Sequence, residues 1–144
     1  MTTRRRRRQW VRRRPFDGAV AGAAPTVSTF SPADNAVNVA INATLAATFD
    51  ETVVLSAASL GITLKKTSDN STIDSWNVVS DRGSGAGQCE VLSDDELTLH
   101  LSANLANSTE YYVVWDAGVV DDLTGTPVAA LSVTTTWSFT TVAA

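Results

Sequence analysis

EYYVVWDAGVVDDLTGTPVAALSVTTTWSFTT, Glu110 to Thr141, decides the fold, because it joins two strand signals of different kinds through a turn. Tyr111 to Trp115 carries five β-favouring residues in a row with no helix former among them, which predicts a strand buried on nearly both faces. Thr134 to Val142 alternates the bulky Trp137 and Phe139 with Ser138 and Thr140, which predicts one apolar face and one wet face. Between them, Asp121-Asp122-Leu123-Thr124-Gly125-Thr126-Pro127 is dense in turn chemistry: aspartates that bond their own backbone, a glycine free to take positive φ, and a proline that stops a ladder. The segment predicts two long antiparallel strands around a turn, with the other apolar segments packed on them.

Working outward, the same reasoning predicts strands at Thr26–Phe30, Thr44–Phe49, Ile62–Lys66, Thr72–Val79, Cys89–Leu92 and Leu97–Leu101. Leu45, Ala47 and Phe49 alternate with Thr44, Ala46 and Thr48, and Leu97, Leu99 and Leu101 with Thr98 and His100. Ser68-Asp69-Asn70-Ser71 joins two of these strands as a hairpin, in which Ile62 and Leu64 point inward and Trp76 and Val78 share a face. Ser31-Pro32-Ala33-Asp34-Asn35 and Ser93-Asp94-Asp95-Glu96 read as turns, and Arg82 to Gln88 (RGSGAGQ) as a flexible loop. No 3.6-residue periodicity competes. The fold class is all-β, an antiparallel sandwich of seven or eight short strands around one core.

The 144 residues, 44% hydrophobic and 18% charged, suit one domain of ordinary size. No apolar run reaches the roughly 18 residues that a membrane span needs. Cys89 is the single cysteine, so stability rests on packing and not on an internal disulfide. Charge divides the chain more sharply than apolarity does. Met1–Ala24 holds eight arginines against Asp17, a net +7, while the remainder sets Lys65, Lys66 and Arg82 against fourteen acidic residues, a net −11. We therefore divide the sequence into an arginine-rich arm and linker, residues 1–24, and an acidic domain, residues 25–144.

The arm has no apolar periodicity, and its arginine blocks repel one another along a helix. An export signal is the competing reading, since arginines precede an alanine-rich stretch, but Pro15, Asp17 and Gly18 break the contiguous apolar core that such signals require. Trp10 lies between two arginine blocks with Phe16 nearby. Arg4, Arg5, Arg6, Arg7, Arg8, Arg12, Arg13 and Arg14 would pair with acids or phosphates while Trp10 and Phe16 supply an apolar anchor.

Pro25–Val53, Glu96–Val128 and Thr134–Thr141 resemble the bacterial immunoglobulin-like domains of S-layer and cell-surface proteins. Ser31-Pro32-Ala33-Asp34, Tyr111, Asp122-Leu123-Thr124-Gly125-Thr126 and Trp137-Ser138-Phe139-Thr140-Thr141 stand at the places of that family's opening turn, tyrosine, D-L-A-G-N turn and final strand. One residue is inserted before Asp122, and residues 67–88 are longer than the pattern, a candidate contact loop. The resemblance implies an immunoglobulin-like sandwich and is nearly silent on function.

The residues offer little for catalysis. His100 is the only histidine and has no second ligand for a metal; Cys89 lacks a histidine partner; Gly83-Ser84-Gly85-Ala86-Gly87 lacks the lysine and helix of a phosphate loop. Asp94, Asp95, Asp116, Asp121 and Asp122 are weighed as calcium ligands, but turn aspartates serve their own backbone more often. Trp76, Trp115 and Trp137 are assigned to the core. We expect no enzyme, no catalytic or metal residues and no cofactor.

An extracellular-type domain without an export signal, with a free cysteine and a basic N-terminal anchor, points to a phage virion protein. Such proteins fold in the host cytoplasm, and small immunoglobulin-like domains resemble those that decorate capsids and tails. The expectation is a capsid decoration protein on the virion surface, anchored by its arm to the major capsid protein or another virion protein, homo-oligomeric, with weak binding to host surfaces. The alternatives are a bacterial surface or adhesion module that binds glycan or protein, and a nucleic-acid-binding protein acting through the arm. The acidic body disfavours nucleic acid, and the absence of an amphipathic pattern disfavours a membrane.

Overall fold

The computed structural model describes residues 23–144, which form eleven strands and no helix. These are β1 (Val27–Ser31), β2 (Ala36–Val39), β3 (Leu45–Phe49), β4 (Val53–Leu55), β5 (Gly61–Lys66), β6 (Thr72–Asn77), β7 (Cys89–Leu92), β8 (Glu96–Leu99), β9 (Glu110–Trp115), β10 (Val120–Asp122) and β11 (Ser138–Thr141). A four-stranded sheet in the order β1-β3-β8-β7 faces a five-stranded sheet in the order β2-β11-β9-β5-β6, and β10 pairs with β4 as a separate ribbon. This is an immunoglobulin-like β-sandwich. Eight of its strands are those predicted; β2, β4 and β10 are the additional short ones.

The core forms where the predicted inward positions meet. Leu45, Ala47, Phe49, Leu97 and Leu99 from one sheet pack on Ile62, Leu64, Trp76, Tyr111, Val113, Trp115 and Phe139 from the other. Trp137 stacks on Phe30 at 4.6 Å between ring centroids and meets Trp115 edge-on at 6.3 Å. A buried indole N–H needs an acceptor, and each of the three finds a backbone carbonyl: Trp76 donates to His100, Trp115 to Ala129 and Trp137 to Pro32. The Tyr111 hydroxyl accepts the Ala106 N–H at 3.0 Å, fastening the connection into β9 to the strand it leads, as the tyrosine corner of immunoglobulin-like sandwiches does.

Several predicted details change. β9 and β11 do pair antiparallel, Phe139 opposite Tyr111, but they are not the arms of one hairpin. Between them the chain leaves to form β10, and Val120–Asp122 pairs with Val53–Leu55. The second arm is also shorter than Thr134–Val142. Leu131 exchanges hydrogen bonds with Trp115 and the Trp137 carbonyl accepts from Val113, so residues 132–136 loop out of the ladder between those two anchors.

Ser138 was predicted to face water and is buried, because the turn before β2 folds over it: its N–H donates to Asp34 Oδ1 at 2.9 Å. β2 then runs parallel to β11, since the chain crosses from β1 in one sheet to the edge of the other, so the sheets are not wholly antiparallel. The Arg82–Gln88 segment is not a free loop. Arg82 Nε donates to Val78 O at 2.6 Å and its Nη2 to Ser56 O at 2.6 Å, while Gly83 N, Gly85 N and Gly87 N bond Cys89 O, Gln88 Oε1 and His100 O. Gly83 sits at φ 143°, and a Cβ there would lie 2.5 Å from Gln88 Oε1, so the tie admits only glycine without rearrangement.

Candidate partner-binding site

Arg4, Arg5, Arg6, Arg7, Arg8, Trp10, Arg12, Arg13, Arg14 and Phe16, the predicted partner-binding residues, lie outside the described residues. The structure does show where their segment meets the body. Pro25 is buried, and Thr26 closes on Asp50, its N–H and Oγ1 each donating to the carboxylate at 2.9 Å. Those two bonds hold the Asp50 carboxyl below its ordinary range. The corner beside this root is acidic. Glu51 is pushed up by desolvation first and then by the charges of Asp122 and Asp50.

The guanidinium of Arg82, one of the three cations of the body, donates to the carbonyls of Val78, Leu55 and Ser56. Lys65 and Lys66 are the other two.

Many aspartates act as backbone caps, as turn aspartates do. Asp122 Oδ1 accepts from Thr124 N, Thr124 Oγ1 and Thr126 N, all at 2.8 Å, and these bonds, led by that from Thr126, keep its carboxyl below the usual range. Asp116 accepts from Gly61 N, and Asp69 from Ser71 N and Oγ, which lowers the Asp69 carboxyl. Among the described residues no three His, Cys, Asp or Glu side chains converge in a metal-holding geometry.

His100 lies just past the end of β8, and its Nε2 donates to Glu90 Oε2 at 2.8 Å. A cleft of about 320 Å³ opens beside it, lined by Asn42, Thr44, Ser84 and Asn104 among others. Cys89 is fully buried between the sheets, and burial, with the nearby Asp81 charge, raises its thiol to about 11. It is therefore a protonated core residue at neutral pH, neither nucleophile nor metal ligand. Sequence reasoning missed the uses of Asp34, Asp50 and Asp74, since each caps backbone brought near by pairings invisible in the local pattern, and that of Asp81, whose carboxylate accepts from Asn77 N only four residues away.

The sequence model of the bacterial Ig-like domain matches residues 21–141. The chain belongs to that family. No curated protein and no solved structure matches it. In this Ig-like domain the features that carry the family pattern are structural. The Ser31–Asp34 turn caps β11 through Asp34, Tyr111 anchors its connection, the Asp122 turn closes on its own oxygen, and Trp137 fills the core.

Proposed function

We propose that the protein is a non-enzymatic structural subunit of a phage virion, a capsid decoration protein in which an arginine arm anchors an acidic Ig-like domain to the major capsid protein. The observation that carries this reading is the division of charge, +7 in the first 24 residues against −11 in the rest. A long cationic segment with a tryptophan and a phenylalanine is suited to a partner surface that offers carboxylates around an apolar socket. The acidic sandwich is suited to project from that surface, repelled by its neighbours except where their arms reach it.

Each copy would contribute a modest, salt-sensitive contact, and many copies in symmetric clusters would reinforce the shell through avidity. The free, buried Cys89 and the absence of any disulfide suit folding in a reducing host cytoplasm before delivery on a particle. Deleting Met1–Arg14 tests this: incorporation into particles should fall to background, and undiminished incorporation of the shortened chain refutes the anchor.

A second reading is supported by the family itself. A bacterial Ig-like domain suits a cell-surface module whose sandwich binds glycan or protein, and that reading requires the arm-deleted domain to retain binding to bacterial envelopes. Binding of duplex DNA that depends on the arm and is lost with modest salt would instead favour a nucleic-acid role.

A further inference from the structure

We propose that the cleft beside His100 is a binding site for a neutral sugar, held by the side-chain amides of Asn42 and Asn104. Three segments far apart in the sequence meet there. The turn before β3 brings Asn42 and Thr44, the Arg82–Gln88 segment brings Ser84, and the chain leaving β8 brings His100 and Asn104. At about 320 Å³ the cleft lies within the range of small-molecule sites.

Each wall is fixed by backbone. Leu105 N donates to Ile41 O at 2.8 Å, which ties the turn before β3 to the segment after β8. His100 N donates to Gln88 O at 2.9 Å and Gly87 N to His100 O at 3.0 Å, which ties the Ser84 wall to the same segment. Ser102, between His100 and Asn104, is held by Asp74, whose Oδ2 accepts from Ser102 N at 2.7 Å and from Ser102 Oγ at 3.0 Å. A ligand therefore meets a concavity formed before it arrives, and little ordering of the protein opposes binding.

The chemistry of the lining selects the ligand. Asn42, Thr44, Ser84 and Asn104 are exposed, and among the described residues none of their side chains has a hydrogen-bond partner. Other asparagines are committed: Asn70 Oδ1 accepts from the Tyr112 hydroxyl, Asn77 Nδ2 donates to Ser59 Oγ, and Asn107 Nδ2 donates to Val142 O. Glu90 takes Nε2 of His100 and leaves Nδ1 for a ligand. Two amides, each able to donate and to accept, and two hydroxyls thus line one space, and the hydroxyls of a sugar, which also donate and accept, match that set. The lining contains no Asp, Glu, Lys or Arg to favour an ionic ligand, and no Phe, Tyr or Trp to stack a planar one. Ala86 and Leu101 offer apolar surface to the C–H face of a sugar ring. Ser84 and Ala86 belong to residues 67–88, the stretch that is longer than the family pattern.

This inference rests on the second reading above, in which the sandwich itself takes glycan, and names the site; it does not involve the arm. Its test is a titration of the full-length chain, followed by proton–nitrogen correlation spectra, with glucose, galactose, mannose, N-acetylglucosamine, cellobiose and lactose, each to about 100 mM, and with inorganic phosphate as the charged control. At least one sugar should shift the side-chain amides of Asn42 and Asn104 saturably, with a dissociation constant of about 1 to 10 mM. Asn42→Ala and Asn104→Ala should each weaken that binding at least about fivefold while leaving the core signals in place. The absence of a saturable shift at those amides with every sugar overturns the site, as does sugar binding unchanged in both variants or a saturable response to phosphate in place of sugar. If a variant does not fold, the titration of the parent decides the point. Binding of the arm-deleted domain to bacterial envelopes that both substitutions leave undiminished overturns the site while the second reading stands.

Discussion

Trp137→Ala removes the side chain on which both sheets and the first turn converge. Trp137 has no exposed surface, stacks on Phe30, meets Trp115 edge-on, and donates to the Pro32 carbonyl at 2.8 Å. Truncating a fully buried tryptophan costs about 3 to 5 kcal/mol through lost transfer energy and the cavity left behind. The aromatic pairs and the orphaned Pro32 carbonyl place this site toward the upper end. Against a total stability of roughly 5 to 15 kcal/mol, that is a large fraction. With a urea slope of about 2 kcal/mol/M, a loss of about 4 kcal/mol lowers the unfolding midpoint by about 2 M. Trp137→Phe keeps the stacking and loses the hydrogen bond and some volume, so its midpoint should fall between the two. Urea titration followed by far-ultraviolet circular dichroism makes the measurement. A midpoint lowered by less than about 0.5 M at unchanged slope would refute the view that Trp137 closes this core.

Arg82→Met should lower stability by about 1 to 2 kcal/mol through loss of its bonds to Val78 O and Ser56 O, with Arg82→Lys failing to restore it because an ammonium cannot span both carbonyls; equal urea midpoints would contradict this. Asp50, Asp69 and Asp122 are held below the ordinary value of 3.8, so the stability they confer is complete above that value and is lost as pH falls through their lowered folded values. Asp122→Asn should therefore flatten the acid limb of a stability–pH curve, and an unchanged limb contradicts the assignment. Cys89 has the opposite sign: its stabilising effect is complete below its reference value of 9.0 and is lost as pH rises toward about 11. Disulfide-exchange labelling of Cys89 at pH 8 should be negligible in the native protein and rapid in urea, and fast native labelling would contradict its burial.

The sequence reveals strands wherever one face or both faces are apolar and the period is two residues. Leu45–Phe49, Gly61–Lys66 and Glu110–Trp115 fall within a residue of their predicted bounds for that reason. It is silent about β2, whose Ala36-Val37-Asn38-Val39 holds an exposed valine and a left-handed asparagine, and about β4 and β10, which are three residues each and exist through pairing with one another. Ser138 and Thr98 read as solvent-facing because alternation reports polarity, not what a distant segment covers; both are buried, and the Thr98 hydroxyl has no hydrogen-bond partner. Glycines 83, 85 and 87 suggest freedom in sequence, yet in the fold they let the chain approach Gln88 and Ser102 closely. The basic arm is legible in the sequence as charge and aromatic spacing alone, and its residues 1–22 lie outside those that the structure describes.

The proposed role stands or falls on whether the arm joins the protein to a shell. Full-length protein and protein lacking Met1–Arg14 would be cosedimented with purified phage capsids at low and high salt, with duplex DNA as a parallel ligand. The account predicts that the full-length chain pellets with capsids, that high salt weakens this, and that the shortened chain stays in the supernatant. Equal pelleting of both chains, or arm-dependent binding to DNA with none to capsids, would contradict it.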